Sequence, residues 1–351
     1  MKILIWADNH YCQYSSILRS RGSKYSTRLE NQIQSLNWIN KIALEKNCES
    51  MICLGDFFDK ESLNSEELTA LNDIEWNNLS TVFLVGNHEM GRNNLSISSS
   101  HILNLIPNIT IMDSVKEFML GDVRLVFLPY VLESERKPLN DYFKKSNYRT
   151  IVFSHNDISG IQMGQFISKG GFSIDEIEDN CDLFINGHIH NGQKITNKIV
   201  NLGNLTGQNF SENAFVYDHN IMVLDIDTLE YELIKNPYAL NFYKIDFTNN
   251  SSIDYINEIS SKIGSNSIVT IKCKEEDYNY INCRFGKGCS DTIPKHSGII
   301  ESRIMIQHLN SDIVESVDEF SIDHYKEFQK FIIDTLGTSE VVLKELEEIL
   351  S

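Results

Sequence analysis

"FLVGNHEM" occupies residues 83–90, and its reading decides the fold. Phe83, Leu84 and Val85 form a run typical of a buried strand, Gly86 ends it, and Asn87, His88 and Glu89 follow at once. Polar groups at the end of a buried strand are costly unless something binds them. The same plan recurs on either side. "KILIWA" runs into Asp8 and His10, "SMICLG" into Asp56 and Asp59, "RTIVFSH" ends on His155, and "CDLFINGHIH" ends on His188 and His190.

Helix-period segments separate the first three of these strands. "TRLENQIQSLNWINKIALEKN" opens with Thr27 and Glu30 spaced as a capping box and carries Leu29, Ile33, Leu36 and Ile39 at helical spacing. "SEELTALNDIEWNNL" reads as a second helix. This strand–helix–strand alternation predicts an α/β protein with a buried sheet flanked by helices. Further on, "EFML" and "VRLVFLPY" flank Gly121-Asp122, a hairpin turn signal, and "KIVNLGNL" and "IMVLDID" continue in strand style.

A chain of 351 residues exceeds the roughly 250–300 that one core usually organises. The polar "FTNNSSID" and the mixed signals after it predict a boundary, giving domains over 1–238 and 239–318 and a helical tail over 319–351. The tail, "DHYKEFQKFIIDTLGTSEVVLKELEEIL", reads as two amphipathic helices broken at Gly337. No stretch approaches the ~18 apolar residues of a membrane span, and "MKILIWADNH" lacks a signal-peptide plan, so a cytoplasmic protein without membrane attachment is expected. Without an export signal the 7 cysteines read as reduced thiols, and Cys273, Cys283, Cys289 and His296 lack the CxxC pairs of a zinc site.

A net charge of −18 argues against a nonspecific grip on nucleic acid, which comes from Lys and Arg neutralising phosphates. A phosphate substrate must then be held locally, and bound cations would do so. The polar clusters follow core strands, and in a buried sheet such strand ends converge on one crevice. Carboxylate, imidazole and amide oxygen together suit a pair of divalent metals such as manganese, iron or zinc. Two cations ~3.5–4 Å apart clamp the attacking and leaving oxygens of an in-line phosphoryl displacement. Asp56, straight after Gly55, is the natural bridge, Asn87 offers its carbonyl oxygen to a metal, and His88 points at the substrate. Asp59 either orders the site through hydrogen bonds or caps the segment after it. His101, His219, His296, His308 and His324 lie outside the clusters and read as ordinary histidines.

The series Asp8-x-His10, "GDFFD", "GNHE", His155 and "GHIH" resembles the calcineurin-like metallophosphoesterase superfamily over roughly residues 1–235. That resemblance implies a four-layer α-β-β-α sandwich with a smaller C-terminal α+β capping domain, and two metals. One metal would take Asp8, His10, Asp56 and His190; the other would take Asp56, Asn87, His155 and His188, with His88 contacting the scissile phosphate. Within the superfamily the chain is most similar to the SbcD (Mre-type) nuclease subunit, particularly phage-encoded versions, on "MKILIWADNH", "GDFFD" and "VNLGNLTGQNFSE". Some relatives place a histidine where Asp59 stands.

This implies a manganese-dependent DNA exonuclease and endonuclease that works as a homodimer with a coiled-coil SbcC-type ATPase. The sequence has no "GxxxxGK[ST]", so no ATPase of its own is visible. "ILRSRGSKYSTR" holds Arg19, Arg21, Lys24 and Arg28 beside the first ligand pair, as phosphate-backbone contacts or as a solvated loop, and Tyr11, Tyr14 and Tyr25 interleave there as stacking candidates. The terminal helices either dock on the partner or pack on their own domain. A small-molecule phosphodiesterase or protein phosphatase of the same superfamily, or a scaffold that has lost catalysis, are the alternatives.

Overall fold

The computed structural model describes residues 1–14, 22–163, 166–210, 212–286 and 295–307. In chain order the elements begin β1 (Lys2–Trp6), α1 (Thr27–Glu45), β2 (Ser50–Cys53), α2 (Ser65–Ala70), β3 (Ser80–Leu84), β4 (Met90–Gly91), β5 (Asn94–Ser98), β6 (Ile109–Met112), β7 (Lys116–Leu120) and β8 (Val123–Leu128). They continue with β9 (Arg149–Ser154), β10 (Gln162–Met163), β11 (Phe166–Ile167), α3 (Ile174–Asn180), β12 (Leu183–Asn186), β13 (Gln193–Lys194), β14 (Ile199–Asn201), β15 (Asn220–Asp225) and β16 (Tyr231–Lys235). The last are β17 (Asn241–Asp246), α4 (Ile253–Lys262), β18 (Ser267–Lys274), α5 (Tyr278–Phe285) and β19 (Ile299–Gln307).

Two six-stranded sheets dominate, in the orders β16-β15-β1-β2-β3-β6 and β13-β14-β12-β9-β8-β7. Strands β1, β2, β3 and β6 are parallel neighbours, as are β8, β9, β12 and β14. Parallel strands covered on both faces read as continuous apolar runs, and β1 shows why. Its Ile3 and Ile5 join a core shared with Phe127, Ile151, Phe153 and Ile185 of the second sheet. Its Leu4 and Trp6 face the other way, onto Leu29, Leu36 and Ile39 of α1. A third core puts Val126, Val152 and Phe184 of the second sheet against Ile177 of α3. The result is the helix–sheet–sheet–helix layering that the resemblance implies. Each fully buried large apolar side chain in these interfaces contributes ~1.5–3 kcal/mol.

Local chemistry shifted two details. Helix α1 starts at Thr27, but its cap is Ser26, whose hydroxyl accepts from the Leu29 amide at 3.1 Å. Glu30 reaches back instead over the preceding loop, accepting from the Lys24 and Tyr25 amides at 2.6 and 3.1 Å. The second helix is shorter than the sequence suggests. Asn64 and Glu67 form its capping box, but the α-helix stops at Ala70 and a tighter turn over 71–73 follows, where Asn72 and Asp73 favour turns over helix. The hairpin at Gly121 does form, with Gly121 at φ 58° between β7 and β8.

Strands β17, β18 and β19 build a separate sheet over its own core of Ile245, Phe247, Ile256, Ile271 and Phe285. Met1–Ile306 is nonetheless one compact unit. The expected boundary at 238 is bridged by backbone bonds from Gly207 to Leu240 and from Ala214 to Phe242 at 2.9 and 2.8 Å. The tail expected over 319–351 lies outside the described residues. Cys12, Cys48, Cys53, Cys181 and Cys273 are free and buried. Cys283 is disulfide-bonded, which corrects the expectation of reduced thiols throughout. Among the described residues no helix is long and apolar enough to cross a membrane.

Candidate metal centre

The carboxyl ends of β1, β2, β3, β9 and β12 bring the polar clusters to one edge of the two sheets. The backbone there is strained: Asp8, His10, Asp56 and His188 have φ of 50°, 46°, 47° and 75°. Left-handed conformations cost non-glycine residues of order 1 kcal/mol or more, and they persist where the surroundings impose them. Close approach explains Gly86. A Cβ there would lie 2.1 Å from Asp56 Oδ1 and 2.5 Å from Asp56 N, so only glycine lets the β3 end meet the β2 end.

Three triads have ligand atoms within 4.8 Å of one another: Asp8, His10 and His190; His10, Asp56 and His88; Asp56, His155 and His188. In the first, His10 Nε2 and His190 Nε2 stand 3.0 Å apart. The other nitrogen of each ring is engaged, His10 Nδ1 with Asp59 Oδ1 at 3.1 Å and His190 Nδ1 with Glu212 Oε1 at 3.4 Å. A carboxylate accepts, so each Nδ1 carries the hydrogen and the two Nε2 lone pairs face each other. One proton or one cation between them resolves that repulsion. Carboxylate–histidine pairs of this kind orient metal ligands and raise their basicity. Burial lowers the His10 pKa, which suits a neutral ligand.

In the third triad, His155 Nδ1 donates to Leu54 O at 2.9 Å. Its Nε2 faces Asp56 Oδ2 at 3.1 Å and Asn87 Oδ1 at 3.3 Å. Burial alone would lower the His155 pKa, but the Asp56 carboxylate raises it to about 9. The protein therefore holds a proton where three lone pairs meet, and a cation in that place satisfies the same donors. His188 Nε2 pairs with Asp157 Oδ1 at 3.2 Å, while its buried Nδ1 has no hydrogen-bond partner. These donors fit a divalent pair sharing Asp56. Asp8 also accepts from the His188 amide at 2.9 and 3.0 Å, tying the first strand end to the last.

His88 differs from the ligands. Its side chain is 42% exposed, and Nδ1 donates to Asp59 O at 3.2 Å, leaving Nε2 for solvent or substrate. Asp59 thus resolves between its two readings: it holds His10 through its carboxylate and His88 through its carbonyl. Burial pushes the Asp59 carboxyl up, but the His10 hydrogen bond and neighbouring positive charges bring it below its ordinary value.

The basic loop divides. Arg19 and Arg21 lie outside the described residues. Lys24 is exposed and pairs with Asp73 at 2.6 Å. Arg28 is buried, 1% exposed, donating to His10 O at 3.3 Å and to the Gln208 side chain. It braces the first ligand loop from within, so its expected phosphate contact is corrected by its burial. Tyr11 and Tyr25 are also buried and are not stacking surfaces, and Tyr14 is 38% exposed.

Three residues escaped the sequence reading. Glu89 is fully buried and accepts from the Gly86 and Phe58 amides at 3.0 and 3.1 Å, clamping the β2 and β3 ends together. Burial, then the Asp56 charge, raises its pKa to about 8. Asp157 and Glu212 each hold a ligand histidine. A charge inside "GNHE", two places after His155, and at the end of "GQNFSE" was the available signal.

Comparison with known proteins places the chain in a family. Residues 1–192 match the family model described as calcineurin-like phosphoesterase. "Putative phosphoesterase 078R" of Invertebrate iridescent virus 3 is 28% identical over 160 residues, covering 43% of this chain and 44% of that protein. Its counterpart 244L of Invertebrate iridescent virus 6 is 26% identical over 212 residues, covering 58% and 69%. The chain thus spans under half the length of the first of these relatives. Among solved structures, an archaeal phosphodiesterase has 15% identity and a TM-score of 0.35, covering 67% of this chain and 99% of that one. A dimetal phosphatase from Danio rerio has 14% identity and a TM-score of 0.37, covering 67% and 98%. With the family model covering more than half of its 351 residues, including every strand end that meets at the metal centre, the chain belongs to the calcineurin-like phosphoesterase family.

Proposed function

We propose that the protein is a metal-dependent phosphodiesterase acting on DNA, the nuclease subunit of an SbcCD-type repair and recombination complex. The observation that carries the hydrolytic reading is Asp56, which stands with His155 and His188 in one cluster and with His10 and the exposed His88 in another, while His10 also meets Asp8 and His190. One ion would be held by Asp8, His10, Asp56 and His190, the other by Asp56, Asn87, His155 and His188. When bound, divalent ions lower the pKa of a water and neutralise phosphate charge. The chain's own residues do the rest. Asp59 O fixes His88 Nδ1, so a proton on Nε2 is placed for the leaving oxygen.

Support for DNA as substrate comes from the segment "VNLGNLTGQNFSE", on which the resemblance to the nuclease subunit rests. In the fold this segment braces the centre, with Glu212 on His190. Manganese as the metal, a homodimer and a coiled-coil ATPase partner belong to the same proposal.

The test is degradation of end-labelled linear DNA with Mn2+, comparing wild type with Asp56→Asn and His88→Ala, each with and without a candidate ATPase. Cleavage abolished in Asp56→Asn, weakened in His88→Ala and stimulated by ATP with the partner is expected. Hydrolysis of a phosphopeptide or cyclic nucleotide with DNA left intact would replace this reading by a phosphatase or small-molecule phosphodiesterase.

A further inference from the structure

A cleft of about 680 Å³ lies beside the metal centre, between the β4–β5 hairpin that continues from His88 and Glu89 and the segment 129–142 that follows β8. Tyr130 belongs to both places. It lines the cleft, and its ring centroid is 5.6 Å from that of His188. Backbone bonds fix it there, Tyr130 N to Val85 O and Val131 N to Asn156 Oδ1, each 3.0 Å. A group held at the metals therefore has a neighbouring space of ligand size.

The lining says what kind of group fits. Tyr130 and Leu95 offer apolar faces, and Asn94 adds an amide. Of the charged lining residues, Asp113 and Glu135 outnumber Lys137, so a phosphate is disfavoured in the cleft while a neutral ring with polar edges is not. We propose that the cleft is a nucleoside subsite, taking the base and sugar next to a scissile phosphate at the metals. This rests on the phosphodiesterase reading above.

The experiment is calorimetric binding of thymidine 5′-phosphate and of inorganic phosphate, both with Mn2+, to wild type and to Leu95→Trp. Leu95 is partly exposed and lies outside the hydrophobic cores of the described residues, so a larger side chain there narrows the cleft without unpacking the fold. Wild type should bind the nucleotide about tenfold or more tightly than phosphate, the scale of one base–aromatic contact. Leu95→Trp should erase that difference and leave phosphate binding unchanged, which also controls for folding. Equal binding of both ligands by wild type, or a substitution that weakens both alike or neither, overturns the subsite. If the nucleotide preference appears but wild type leaves DNA intact, the DNA reading falls and the subsite stands. If DNA is degraded without that preference, the subsite alone falls.

Discussion

The Nε2 atoms of His10 and His190 face each other at 3.0 Å, while Asp59 and Glu212 hold the opposite nitrogens. Glu212 therefore acts on a metal only through His190. Glu212→Gln keeps the side-chain size but removes the charge, and metal affinity should fall about 10- to 100-fold. Chelator competition measures this, with far-ultraviolet circular dichroism showing an intact fold. Unchanged affinity would mean that His190 needs no orientation from Glu212.

Asp56 and His88 should separate binding from turnover. Asp56→Asn removes the carboxylate that stands among both His10 and the His155–His188 pair, and should reduce metal content at both proposed sites, taking activity with it. His88→Ala should keep both ions and lose about 10²- to 10⁴-fold in rate, the usual scale for one positioned acid–base group. Metal analysis after gel filtration, run beside kinetics, tells them apart. Loss of metal in His88→Ala would instead make that residue a ligand.

Gly86 offers a steric test. A methyl there meets Asp56 Oδ1 at 2.1 Å and the Asp56 backbone at 2.5 Å, and the backbone cannot step aside. Gly86→Ala should cost about 1–3 kcal/mol, the range for overpacking, and weaken metal binding. Gly264, with no atom within 4 Å of its would-be Cβ, serves as the control. Equal melting temperatures for the two alanine variants would contradict the packing argument.

Far from the centre, burial raises the Cys181 thiol from 9.0 to about 12. The folded state thus holds this proton more tightly than the unfolded one. Its stabilising effect is complete below pH 9.0 and is lost as the pH rises towards about 12. Urea unfolding at several alkaline pH values should show a decline of up to about 1.4 kcal/mol per unit from this group, absent in Cys181→Ala. Identical pH slopes for both proteins would refute it.

The layers and the clustering of donor residues were legible because each signal is local: an apolar run, a stop, then a polar residue or pair. Trp6 before Asp8, or Ile185 before His188, is visible in a window of a few residues. The braces were not. Glu212 meets His190 across 22 positions of sequence, Asp59 meets His10 across 49, and Arg28 meets Gln208 across 180. Nothing in the neighbourhood of Arg28 announces that the fold closes over it, so a buried strut read as a surface cation. Propensity likewise placed α1 correctly but chose Thr27 over Ser26 as its cap, because adjacent hydroxyls are equivalent until the backbone turns.

Ligands drawn from five strand ends between Asp8 and His190 have a consequence for how the protein matures. Asp8, His10, Asp56 and Asn87 come from the first sheet and His155, His188 and His190 from the second, so the full donor set for an ion pair is assembled only once the two sheets have docked. Contacts of such sequence separation form late and slowly. Binding of the full proposed ion pair would then be a readout of completed folding. Substitutions that loosen either sheet, however distant, should surface first as a demand for more metal.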